Sequence, residues 1–148
     1  MSDYNNVFPE QIDADEKDYL YIKRSGITNA GKGLFSSIPV YKNEIVAVYR
    51  GEILSKSEAT SRAKKGLDAF FIIMPTGSVL DSNNTVCFAK FANDALGFSA
   101  SSFKNNATIM LNSKNQICLV AIKKIQANQE IFCSYGKVYW NNFNNNSI

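Results

Sequence analysis

The chain has 148 residues, 45% of them apolar and 20% charged, with a net charge of +3 and no histidine. One soluble, intracellular domain with its own core is the expectation, since no apolar run approaches the roughly 18 residues of a membrane span and the acidic start lacks a signal peptide's basic and apolar regions. Without histidine, Ser-His-Asp and Cys-His hydrolysis, His-ligated metal catalysis and mixed Cys/His zinc sites are excluded, so any chemistry must rest on Tyr, Lys, carboxylates, backbone groups or a cofactor.

Residues 1–18 hold six acids and one base and read as a loosely held acidic arm. The remaining residues carry fifteen bases against seven acids, about +8. That balance suits a polyanionic neighbour such as nucleic acid or chromatin, and equally an ordinary solvated basic surface, because no element concentrates the charge. Strand patterns follow at 19–24, at 33–36 and along the β-branched run 44–49, which continues into Ile53 and Leu54. Ser55 with Glu58 three residues later fits a capping box, which opens a short helix that should run to about Lys65 and stop at Gly66.

Residues 69–74 read as a buried strand, 75–78 as a turn and Val79 with Leu80 as a short return. Residues 108–111 and 117–123 form a hairpin across the polar stretch 112–116, and 130–134 make a last strand before an Asn-rich tail over 141–148. Cys118 and Cys133 fall in apolar strand runs, where a thiol acts as a small hydrophobe. An odd count of three cysteines with no C-x-x-C spacing opposes both a disulfide framework and a zinc ribbon. Many short strands with one small helix specify a mainly β domain of non-simple topology.

Four short motifs punctuate this pattern. Gly31, Lys32 and Gly33 precede a strand, where glycines let backbone approach a ligand, although a G-x-G triplet alone is more often a turn. Tyr49, Arg50 and Gly51 end another strand with an aromatic and a bend. Phe91, Ala92, Asn93 and Asp94, with Asn106 and Ala107 further on, set an amide and a carboxylate among apolar residues. Glu130, Ile131, Phe132, Cys133, Ser134, Tyr135 and Gly136 form an acidic-apolar strand that delivers a phenol, followed by Tyr139 and Trp140.

In this order and spacing the motifs resemble those of the SET-domain protein-lysine methyltransferase family, over about residues 19–140. Residues 121–125, Ala-Ile-Lys-Lys-Ile, match a further family segment. The family's cysteine-rich flanks are missing, so the likeness is to a minimal SET domain. It implies a mainly β, β-clip fold of short sheets with one short helix, in which the C-terminal strand threads under a preceding loop as a pseudoknot. It also implies S-adenosyl-L-methionine as cofactor and a lysine-containing protein or peptide, such as a histone, as substrate. Cofactor contacts then fall to Lys32, Gly33, Leu34, Phe70, Phe91, Asn93, Asp94, Tyr135 and Trp140. The substrate channel falls to Tyr49, Phe71, Cys133, Tyr135 and Tyr139, with Tyr135 and Tyr49 as the catalytic pair and no metal.

This chain departs from the family pattern at Lys90, where Arg is common, at Ala92, and at Asp94, where His is usual. Cys133 and Ser134 replace an aromatic-Asp pair, and the small Cys133 implies a roomier site that admits di- or trimethylation. The same departures keep a second reading open: a SET-like binding module that recognises a lysine-bearing tail or a chromatin partner without turnover. A histone substrate would place the protein at chromatin in the nucleus, and another substrate in the cytoplasm.

Overall fold

The computed structural model describes residues 8–74, 76–97 and 102–134. Among them, eleven short strands form three sheets. The largest runs β1 (Glu10–Gln11), β4 (Glu44–Val48), β9 (Ile117–Ala121), β8 (Ala107–Leu111) and β11 (Cys133–Ser134). Its two outer pairs, β1 on β4 and β11 on β8, are parallel and the inner pairs antiparallel. A second sheet has β3 (Lys32–Ser36) between β10 (Glu130–Ile131) and β2 (Leu20–Arg24). In the third, β7 (Val79–Asp81) lies between β5 (Glu52–Leu54) and β6 (Phe71–Ile73).

Period-two alternation explains why β9 is buried along its whole length. Ile117, Leu119 and Ala121 point into the main core with Val46, Ala107 and Ile131, whereas Cys118 and Val120 join Ile45 on the other face. Both faces are apolar because both are covered. The mainly β class and the hairpin of β8 and β9 agree with the sequence pattern.

The helix α2 (Lys56–Lys64) also starts and stops as its residues dictate. Ser55 Oγ accepts from the Glu58 N–H at 3.1 Å while Glu58 Oε1 accepts from the Ser55 N–H at 3.0 Å. Gly66 has a φ of +73°, the left-handed conformation in which a helix ends cheaply on glycine. Arg62 straps α2 to the third sheet, donating to Glu52 at 2.9 Å and to the buried Asp81 at 2.7 Å.

Two expectations need correction. The arm is not loosely held from Glu10 onward. Strand β1 extends the large sheet, a one-turn helix α1 (Glu16–Tyr19) follows, and Glu16 accepts from the Val48 N–H at 2.9 Å. The cause is local satisfaction: this acidic segment supplies a carboxylate and a strand to an otherwise open sheet edge. It also makes a second helix beside the one expected. Nor does the run 44–49 continue as one strand. The chain leaves the large sheet after Val48 and enters the third sheet at Glu52, because Gly51 is pressed against Asp81.

The C-terminal crossing ties the sheets together. Phe132 lies between β10 and β11 and pairs with Asn93 on one edge. There the Cys133 N–H donates to the Asn93 carbonyl at 2.8 Å. On the other edge the Phe132 carbonyl accepts from the N–H groups of Asn106 and Ala107. The Asn106 side chain, 1% exposed, closes the joint: its Nδ2 donates to the Glu130 carbonyl at 3.0 Å and its Oδ1 accepts from the Phe132 N–H at 2.9 Å. The strand therefore passes between the two ends of the segment 93–107, the crossing that the pseudoknot implied. Replacing Asn106 by Ala orphans a buried N–H and a buried carbonyl, and should cost about 3 kcal/mol in urea unfolding, well above a typical surface substitution.

Candidate functional site

The site is built where the three sheets meet around that crossing. Tyr49 stands at the point where β4 ends, 5% exposed, and its neighbour Gly51 makes the turn possible. A Cβ on Gly51 would lie 2.3 Å from the Asp81 carbonyl oxygen, so only glycine lets β5 reach β7 at this height. Opposite Tyr49, the end of the α2-to-β6 connection and the start of β6 bring Ala69, Phe70, Phe71 and Ile72 to one cavity of about 230 Å³, which Ser82 and Lys90 complete.

Lys90 holds the cavity's shape. Its ammonium donates to the carbonyls of Ser82 at 2.9 Å and Thr85 at 3.1 Å, and lies 5.2 Å and 5.5 Å from the ring centroids of Phe70 and Phe91. Those two rings pack tilted at 6.4 Å. A lysine in place of the usual arginine here anchors the 82–85 turn and the aromatic wall together.

Behind Tyr49 lies Cys133, fully buried. Burial pushes its thiol far above the ordinary range, the Asp94 charge adds to the rise, and a hydrogen bond with Tyr49 opposes it. Cys133 is therefore a neutral thiol that packs against the phenol. Its inertness follows from its surroundings.

A second group of candidates gathers beside the crossing. Asn93 Nδ2 donates to the Lys32 carbonyl at 3.0 Å, which joins the glycine motif to the Asn loop across 61 positions of sequence. Gly31, with φ +75°, has open space where a side chain would be. Gly33 does not: a Cβ there would meet Glu130 Oε2 at 2.3 Å. The Glu130 carboxylate is buried, accepting from Ser25 Oγ at 2.7 Å and the Gly26 N–H at 2.8 Å, and it occupies the room that Gly33 leaves. Leu34 is wholly buried in the central strand of its sheet and belongs to the main core. Asp94 turns inward on its own loop, accepting from the Leu96 N–H and from Asn105 Nδ2, each at 2.9 Å.

The structure thus brings Tyr49, Phe70 and Phe71 together with Cys133 behind, and separately joins Lys32 to Asn93. Tyr135, Tyr139 and Trp140, with the tail 141–148, lie outside the described residues. Sequence reasoning did not single out Ser82, which follows the last residue of β7 with no pattern to mark it. It noted Lys90 only as a departure, although a basic residue two positions before Ala92 was the available signal. Glu130 was read as part of a strand pattern, and its partner Ser25 carried no signal at all.

The family model described as SET domain matches residues 31–136. Among solved structures, a humanized mutant of the Chaetomium thermophilum Polycomb Repressive Complex 2 bound to the inhibitor GSK343 is 24% identical. It has a TM-score of 0.65 and covers 81% of this chain and 15% of that chain. The same kind of humanized complex bound to the inhibitor GSK126 is 21% identical, with the same TM-score and coverage. This chain spans about 15% of the length of each, and the likeness is one of fold. No helix among the described residues is long and apolar enough to cross a membrane.

The buried thiols give the fold a pH dependence of definite sign. Burial, with the Glu16 charge second, pushes Cys118 up from near 9 to about 11, and Cys133 and the Tyr19 phenol move up as well. The unfolded chain loses these protons first, so the Cys118 contribution is fully present below about pH 9 and is lost as pH rises through 11, with those of Cys133 and Tyr19 lost at higher pH. Urea unfolding in reducing buffer should show a midpoint falling over that window, and Cys118→Ala should remove part of the slope.

Proposed function

This chain belongs to the SET-domain family of protein-lysine methyltransferases, and from that premise we propose that it transfers methyl groups from S-adenosyl-L-methionine to a lysine side chain of a protein, such as a histone. The observation that carries this reading is the cavity of Tyr49, Phe70, Phe71 and Lys90, set against the crossing that positions Cys133. Its walls suit a lysine: rings and aliphatic groups for the methylenes, and polar groups at few points.

The described residues fit the cofactor in kind. The open space at Gly31, the Lys32 main chain and the Asn93 amide form a polar edge, and the Asp94 carboxylate offers negative charge to a cationic ligand. When bound, the cofactor supplies an electrophilic methyl on a sulfonium. The chain's own task is alignment and exclusion of water, for which no strong base is required. A lysine with an ordinary pKa near 10.4 is mostly charged at neutral pH, and burial among rings beside the Lys90 ammonium disfavours that charged form. The channel therefore raises the fraction of neutral, nucleophilic amine. Tyr49 forms one wall, and the resemblance assigns Tyr135 to orienting amine and methyl through its hydroxyl, with Trp140 covering the adenine and Tyr139 joining the channel.

Cys133 supports a product state. A thiol stands where the family's bulky ring limits methylation, so di- or trimethyl products are expected, and mass spectrometry that finds monomethyl-lysine alone removes this assignment. Cofactor at a hundredfold excess over Kd should stabilise the fold by about 2.7 kcal/mol, seen as a raised melting temperature. Tyr135→Phe should keep that shift while transfer drops about a hundredfold or more. Retained stabilisation with no transfer by the wild-type chain would instead identify a binding module.

A further inference from the structure

Helix α2 departs from the expectation that no element concentrates the basic charge. Residues 56–65 hold four bases, Lys56, Arg62, Lys64 and Lys65, against one acid, Glu58. Arg62 turns to the third sheet, where Glu52 and Asp81 neutralise it, and Glu58 closes the cap with Ser55. Ala59 alone of the helix is buried, so no apolar stripe holds α2 in place. Its cap and the Arg62 strap do so, and they fix which way the rest of its surface faces. At about 3.6 residues per turn, Lys56, Ser57, Thr60, Ser61, Lys64 and Lys65 fall on the half turned away from Ala59 and Arg62. All six are exposed and line one continuous surface, roughly 12 Å along the axis from Lys56 to Lys64. It presents ammonium and hydroxyl groups and no carboxylate. Thr60 Oγ1 donates to the Lys56 carbonyl at 2.9 Å. Among the described residues, no hydrogen bond or ion pair engages the other five side chains.

We propose that this face of α2 docks the phosphate backbone of a nucleic acid duplex without reading its base sequence. Ammonium and hydroxyl groups are donors that phosphate oxygens accept from, and such contacts position a duplex without specifying sequence. A duplex carries one charge per roughly 1.7 Å of its axis, so a face of this length meets several phosphates at once. Other anionic partners fit it less well. Protein interfaces are depleted of Lys and Ser and depend on large buried anchors, of which this face has none. A bilayer needs apolar side chains to enter it, and a single strand needs rings on which its bases stack. Neither kind of residue stands among the six. The connection 65–68 leads from α2 to Ala69 and Phe70 of the cavity wall, so a duplex on α2 is held near that cavity. Under the methyltransferase reading, this placement suits a substrate protein that is itself carried on nucleic acid. The docking does not depend on that reading.

The test uses the full chain, without cofactor, and a fluorescent DNA duplex of about 20 random base pairs, with anisotropy read across a salt series. Replacing Lys56, Lys64 and Lys65 together by Gln should weaken binding about tenfold or more at roughly 50 mM salt. The slope of log affinity against log salt should fall by about 2.7, three phosphates at roughly 0.9 each. Glutamine matches lysine in helix propensity, so far-UV circular dichroism should be unchanged. Replacing the same three by Arg should leave binding as in wild type, and each single Gln variant should remove about a third of the slope change. A control with equal charge loss, Lys42, Lys123 and Lys124 to Gln, should leave the slope in place. Equal weakening by both Gln triples shows a diffuse basic surface and overturns the proposal. So does a wild type that leaves the duplex unbound at low salt, or that binds oligo-dT, polyglutamate or phosphatidylserine vesicles as tightly as the duplex. Duplex binding that behaves as expected in a chain without methyl transfer removes the methyltransferase reading alone.

Discussion

The amide of Asn106 is the point on which the rest of this structure depends. Strands β10 and β11 have two residues each, too few for ladder hydrogen bonds to hold them alone. Their position is set by one buried side chain that donates to the Glu130 carbonyl and accepts from the Phe132 N–H, with Asn93 closing the opposite edge. An aspartate of the same shape could accept but not donate, and would bring a charge into a site 1% exposed. Once the crossing is fixed, much else follows from chain connectivity. Glu130 is delivered to Gly33 and Cys133 to Tyr49.

Among the described residues two carboxylates are buried, and each is held by its own partners. Asp81 is neutralised by Arg62 from α2 and also accepts from the Asn83 N–H. Glu130 is held by neutral donors, Ser25 Oγ and the Gly26 N–H, with its space guaranteed by the missing side chain of Gly33. Removing either donor set would leave a desolvated charge, a large penalty compared with the small gain such pairs contribute when intact. Gly33 and Gly51 are therefore read physically by what they make room for: Gly33 for a carboxylate and Gly51 for the Asp81 backbone.

Much of the fold was legible because its signals are local. The capping box of Ser55 and Glu58, the stop at Gly66 and the alternation of β8 and β9 are each decided within a few residues. What was not legible depends on partners distant in sequence. Nothing in residues 10–19 announces a strand and a helical turn, since their docking is set by the open edge of β4 and by the Val48 N–H. The break after Val48 is likewise fixed by the close approach of Gly51 to Asp81, which is distant in sequence. In the site, the aromatic and Asn motifs could be read from composition and order, whereas Ser82 could not. A lone serine after a strand is unremarkable until the fold places it against Lys90 and the aromatic wall.

The residue set is compatible with the proposed methyl transfer even without histidine. Amine methylation needs a nucleophile that has lost its proton and a geometry that keeps it in line, and neither requires a dedicated base. Fixed charge and burial can accomplish the first: the Lys90 ammonium, immobilised by carbonyls and rings, disfavours a second cation in the same cavity. Rigid walls accomplish the second. Asp94 fits this division because its carboxylate closes its own loop through Leu96 and Asn105. Its charge also adds to the burial that raises the Cys133 thiol. At the positions that depart from the family pattern, Lys90 thus holds the cavity wall, Asp94 holds its own loop and the Cys133 thiol packs behind Tyr49.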